Sequence, residues 1–151
     1  MDIMTFHKII DFAVEREREA VDFYHDLQNS AKFSSQKAML QELENMEKTH
    51  ILILEKIRQK DMKSITSTPV RDLKIVDYIV DDSIEPDSFP NILLIAMKRE
   101  DKANLLYRDL ANRFIEEDIE LSRLFQRLAD EEAGHKLKFE LLYDEYVLKD
   151  N

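Results

Sequence analysis

Six residues of this 151-residue sequence have the types and spacing of a metal-binding set: Glu17, Glu47, His50, Glu100, Glu132 and His135. Two histidines each follow a glutamate by three positions, in Glu47-x-x-His50 and Glu132-x-x-His135. Residues i and i+3 share a helix face, so each pair can turn a carboxylate and an imidazole toward one ion. Oxygen and nitrogen donors without sulfur suit iron or manganese and, less specifically, zinc. Two divalent cations would cancel the four negative charges, whereas burying such carboxylates uncompensated costs several kcal/mol each.

The positions that these six occupy make the assignment. Apolar residues recur at helical spacing in four segments, predicting helices over about 5–31, 34–60, 88–114 and 118–148, with a crossover over 61–87. The first helix carries the stripe Phe6, Ile10, Ala13, Ala20, Tyr24 and Leu27, interrupted only by Glu17. The second, with Ser34 as its expected N-cap, carries Leu40, Leu43, Leu54 and Ile57, interrupted by Glu47 and His50. The third carries Leu93, Ala96, Ala103, Tyr107 and Leu110, interrupted by Glu100. The fourth carries Leu121, Phe125, Leu128, Phe139 and Leu142, interrupted by Glu132 and His135. Every exception lies midway along its helix.

The two halves repeat. A shift of 83 residues sets Glu17 on Glu100 and Tyr24 on Tyr107, and a shift of 85 sets Glu47 on Glu132 and His50 on His135. Short joints within each half require antiparallel helix pairs. The chain therefore reads as one all-α domain over 1–151, an antiparallel four-helix bundle made of two helical hairpins joined by a long crossover. Leu73 to Val80 reads as a small helix or turn packed on it. One Glu from each of two helices and Glu-x-x-His from each of the others is the donor inventory of two-metal carboxylate bundles.

Neighbouring residues sharpen the choice. Glu15 and Glu19 face away from Glu17 and read as solvated charge. Glu131 stands four before His135, but the repeat selects Glu132. Tyr24 and Tyr107 each lie seven residues after a candidate ligand. Two readings stand for them: contact with the ligands or a redox part, and a core tyrosine with one polar contact. His7 and His25 fall outside the pattern and read as surface residues. Gly134, the single glycine, sits beside His135 at a cost of about 1 kcal/mol against alanine.

A net charge of −10 leaves no basic stripe for nucleic acid or an anionic membrane surface. No apolar run approaches the roughly 20 residues of a membrane span. No signal-peptide pattern opens the sequence, so the expected address is the cytoplasm. With no cysteine there is neither a disulfide nor a thiolate metal site.

The segments EREREAVDFY with MEKTH, and KREDKANLLY with DEEAGH, resemble the ferritin-like superfamily and within it the rubrerythrin-type di-iron domain. The resemblance covers nearly the whole chain. It implies two iron ions on the six residues named and reaction with hydrogen peroxide or dioxygen in oxidative-stress defence, with Glu17, Glu47, Glu100 and Glu132 as the reactive carboxylates. It also implies a homodimer or higher homo-oligomer. Two departures stand out. Classical rubrerythrins carry a cysteine-ligated rubredoxin domain, which this sequence cannot form, so the electron donor is expected to be separate, such as a free rubredoxin. They also carry an extra glutamate one turn after the third-helix ligand, where this chain has Ala103. The alternatives are a ferroxidase or iron-binding protein of a storage system, and a non-catalytic helical interaction module.

Overall fold

The computed structural model describes residues 2–60, 73–81 and 83–149. Among them are four α-helices and no strand: α1 (Ile3–Gln28), α2 (Lys37–Gln59), α3 (Phe89–Phe114) and α4 (Ile119–Lys149). Segment 61–72 of the expected crossover lies outside the described residues. The chain divides into two compact units between Ile75 and Val76, and each holds one helical hairpin. Two antiparallel helical hairpins are the building plan expected from the repeat.

In the first unit, α1 begins where Asp2 accepts a 2.7 Å hydrogen bond from Thr5 N–H and satisfies one of the open donors of the first turn. The helix stops at Gln28, three residues short of the sequence expectation. A 3₁₀ turn over Ala31–Gln36 follows, so α2 starts at Lys37 rather than at 34. Ser34 lies inside that turn and is not the N-cap; Gln36 holds the cap position without a side-chain hydrogen bond. Phe33 explains the difference, because its wholly buried ring requires the chain to turn inward before α2 can begin. The helices run antiparallel, with Arg58 bonded to Asp11 at 2.6 Å and Arg18 lying 3.6 Å from Glu55. Phe6, Ile10, Ala13, Ala20, Tyr24 and Leu27 of α1, and Leu40, Leu43, Leu54 and Ile57 of α2, are buried as the stripes predict.

In the second unit, Ser88 caps α3 by accepting from Asn91 N–H, with Pro90 in the first turn, where a missing N–H costs nothing. Asp118 caps α4 by accepting from Leu121 N–H at 3.1 Å. Ser122 Oγ donates 2.6 Å to the Ala111 carbonyl and Asn104 Nδ2 donates 2.7 Å to that of Ala129, fixing the register of the pair. The expected stripes are buried except at Ala103 and Leu142, which are half-buried. The short apolar piece before α3 is a 3₁₀ turn, Ile75–Tyr78. Tyr78 is buried and its hydroxyl donates 2.7 Å to Asp109 Oδ2 on α3, while Lys102 donates to the Asp77 carbonyl.

Candidate metal centre

Each hairpin groups its three candidate ligands. In the first, Glu17 comes from the middle of α1, and Glu47 and His50 from the middle of α2. Their exposures are 2%, 1% and 0%. His50 Nδ1 lies 3.6 Å from Glu17 Oε1 and 3.7 Å from Glu47 Oε2. In the second, Glu100 of α3 and Glu132 and His135 of α4 are 2%, 1% and 3% exposed. His135 Nδ1 lies 3.5 Å from Glu100 Oε2 and 3.8 Å from Glu132 Oε2. Within each triad the donor atoms all fall within 4.8 Å of one another.

These separations exceed the length of a good N–H···O hydrogen bond. Donors sharing one ion, each about 2.1 Å from it, stand roughly 3.0–3.4 Å apart. The triads are slightly wider than that, and small side-chain rotations close the gap. Two carboxylates and an imidazole, almost wholly withdrawn from water, form a donor set suited to a divalent ion. Iron, manganese or zinc suits the donor chemistry of each triad. The low-dielectric setting strengthens the attraction between a bound cation and its carboxylates.

The neighbours separate as the spacing predicts. Glu131 is half-buried and accepts 3.2 Å from Arg127 Nε, pointing along the flank of α4 rather than into the triad. Glu15 and Glu19 are exposed and pair with Arg18 and Arg16. Tyr24 and Tyr107 are both buried, and the Tyr107 ring stacks on Phe125. Gly134 is exposed on α4, and a Cβ added there would meet nothing within 4 Å, so the glycine makes no room for a neighbour. His7 is half-buried, not the surface residue expected. One edge of its ring faces inward, with Nε2 withdrawn from solvent.

Sequence reasoning missed Glu44. Its side chain is only 9% exposed and accepts from His25 Nδ1 at 2.7 Å, Lys48 Nζ at 3.0 Å and Gln28 Nε2 at 3.2 Å. His25 keeps its exposed ring, as expected, but is committed to Glu44. A signal was present: Glu44 adjoins Leu43 at the edge of the stripe and stands four before Lys48.

A rubrerythrin family model matches residues 91–151, which include α4 and most of α3 and carry Glu100, Glu132 and His135. No curated protein and no solved structure matches the chain significantly. The rubrerythrin resemblance read from the sequence is thus found independently over the second hairpin. Together with the buried Glu/His clusters it points to a di-iron site. Among the described residues, no helix is long and apolar enough to cross a membrane.

Proposed function

We propose that this chain is a di-iron carboxylate oxidoreductase of rubrerythrin type, in which Glu17, Glu47, His50, Glu100, Glu132 and His135 hold two irons. The observation that carries the reading is the duplicated, buried triad: a lone Glu and a Glu-x-x-His pair in each hairpin. The family match over residues 91–151 supports it from a separate direction. The chemistry iron supplies when bound is a two-electron reduction: one hydrogen peroxide and two protons become two waters as two Fe(II) become two Fe(III).

The protein's own residues set the conditions for that chemistry. Four carboxylates neutralise the charge of two divalent ions and favour the more highly charged oxidised state. The imidazoles bind as neutral donors and complete the coordination without adding charge. Near-complete burial of all six excludes bulk water and holds the donors in fixed positions, so little reorganisation accompanies oxidation. The same carboxylates are the nearest groups able to take up and pass on a proton. No cysteine-ligated iron site can form within these 151 residues, so the reading assigns the electrons that restore Fe(II) to a donor outside them, such as a rubredoxin.

A specific observation favours a second reading. Ala103, half-buried on α3, stands where classical rubrerythrins place an additional glutamate. Without that carboxylate the ligand set is the symmetric one of ferroxidase-type centres. There dioxygen and two protons take two electrons from two Fe(II) and leave as peroxide, and the oxidised iron passes on to storage.

Anaerobic iron reconstitution followed by metal analysis tests the shared premise. Two irons per chain are expected, and one or none rejects it. Stopped-flow mixing of the di-ferrous protein with peroxide or dioxygen then separates the two readings.

A further inference from the structure

Nothing inside the chain calls for a glycine at position 134. Gly134 lies within α4, its φ is not positive, and a Cβ built on it meets nothing within 4 Å. Neither a turn nor a close neighbour in the chain requires it, and alanine would favour the helix more. A glycine there leaves a recess on the outer surface of α4.

The recess opens a seam. Gly134, Leu137, Leu141, Asp144 and Leu148 follow one another at steps of three and four, the spacing at which one helix packs along another. The leucines are 53%, 60% and 75% exposed, and Leu148 is the most exposed large apolar side chain among the described residues. Buried Glu132, His135 and Phe139 mark the core face of α4, so the seam lies on its opposite side. The first hairpin has no such seam. The 85-residue shift sets Thr49 on Gly134 and Lys56 on Leu141, and α2 ends at Gln59, which matches Asp144. In the second hairpin Phe89, the first residue of α3, stacks on Tyr146 at 5.0 Å, so residues 147–149 carry α4 past the start of α3.

Charge and shape identify what covers the seam. When α4 of a second copy lies antiparallel across the first, with a twofold axis at Leu141, that leucine meets its own counterpart. Gly134 then stands opposite Leu148, small against large, and Lys138 stands opposite Asp144; the symmetry makes each pairing twice. Leu137 lies along the methylenes of Glu145. A parallel pair would instead set Asp144 on Asp144, Lys138 on Lys138 and glycine on glycine, leaving a void between like charges. A lipid surface is a poor occupant, because exposed Asp144 and Glu145 interrupt the leucines.

We propose that the outer face of α4 is a self-association surface, on which two copies of this chain pack antiparallel about Leu141 and close a symmetric dimer. The inference uses no metal and stands apart from the two-iron reading.

Sedimentation velocity of the full chain over a concentration series is expected to show a monomer–dimer equilibrium in the micromolar range. Leu141→Glu sets two carboxylates face to face at the axis and should raise the dissociation constant at least about 100-fold. Gly134→Gln fills the recess and should weaken the dimer about tenfold or more, with helix content unchanged because the single chain has room for the side chain. Lys138→Glu or Asp144→Lys alone should weaken it about tenfold, and the two together should restore it. These residues point to different sides of their own helix, so rescue reports contact between chains. Leu141→Cys, in a chain with no other cysteine, should give a disulfide-linked dimer under mild oxidation, whereas Leu124→Cys, exposed on α4 outside the seam, should not. A monomer at every concentration overturns the inference, and one that floats with phosphatidylcholine vesicles assigns the leucines to lipid instead. A dimer indifferent to Leu141→Glu and Gly134→Gln overturns it too, by putting the contact on another face. A charge-swapped pair that fails to recover rejects the antiparallel packing.

Discussion

His50 Nδ1 stands 3.6 Å from Glu17 Oε1, and across the repeat His135 Nδ1 stands 3.5 Å from Glu100 Oε2. The imidazole of one helix approaches the lone carboxylate of its antiparallel neighbour in the same way in both hairpins. This pairing, more than the Glu-x-x-His spacing, ties each ligand group to its fold, because it exists only when the two helices are docked in register. Replacing Glu17 or Glu100 by Gln should therefore weaken metal binding by at least about 100-fold while leaving helix content unchanged. Metal titration alongside far-ultraviolet circular dichroism checks this.

Metal should stabilise the fold, because an ion that binds only the folded chain shifts unfolding by mass action. At a free concentration 100 times its dissociation constant, the gain is about 2.7 kcal/mol per site. For a chain of this length that corresponds to roughly 5–10 °C in melting temperature. Scanning calorimetry of metal-free and iron-loaded protein at neutral pH measures it. Equal melting temperatures with metal demonstrably bound would count against buried ligands.

Acid should weaken the first hairpin through Glu44. Its carboxyl is held below the ordinary value in the folded state, so its contribution is present above the unfolded pKa of about 4.3. That contribution disappears as pH falls through the lower folded value. Glu44→Gln should flatten the acid limb of the melting curve below about pH 4.5 relative to wild type. A melting series of the metal-free protein from acid to neutral pH compares the two slopes.

Tyr78→Phe should loosen the segment that leads into α3. Burial first, and then the bond to Asp109, push the phenol well above its usual range, so it remains a donor throughout the accessible pH range. Losing that bond strands the Asp109 acceptor at a cost of about 1–2 kcal/mol. The expected drop in melting temperature is roughly 2–8 °C. Gly134→Ala should act in the opposite direction, adding up to about 1 kcal/mol, since its new methyl meets open space and the helix gains propensity.

Peroxide should oxidise the di-ferrous protein faster than dioxygen does if the rubrerythrin-type reading holds. Single-turnover oxidation with each oxidant at equal concentration gives the ratio, and a faster reaction with dioxygen selects the ferroxidase reading. Ala103→Glu restores the carboxylate of classical rubrerythrins and should move the ratio toward peroxide. An unchanged ratio would remove Ala103 as the determinant.

Much of this architecture was legible because two signals were redundant. Glu17, Glu47, His50, Glu100, Glu132 and His135 are polar residues at core positions, and each is duplicated by the repeat, so chance spacing is a poor explanation. The limits of the reading have local causes. Ser34 has the chemistry of an N-cap, yet the burial of Phe33 moves the helix start to Lys37, a tertiary demand that local preference cannot register. Glu44 sits at the edge of the stripe, where a glutamate is ordinarily solvated. Only its three donors, two of them reaching over from α1, mark it as buried. His7 resisted for a related reason: the width of a buried face depends on what lies against it.

The boundary between Ile75 and Val76 also separates the two triads in the order of synthesis. Glu17, Glu47 and His50 have all left the peptidyl-transferase centre before the first residue of the second unit is polymerised. At about 5–20 residues per second, the remaining half of the chain takes roughly 4–15 s to follow. Helical hairpins with short connections form far faster than that. Once the first hairpin has cleared the ribosome, a nascent chain can therefore carry one closed triad, and cellular metal can meet it before the other has been made.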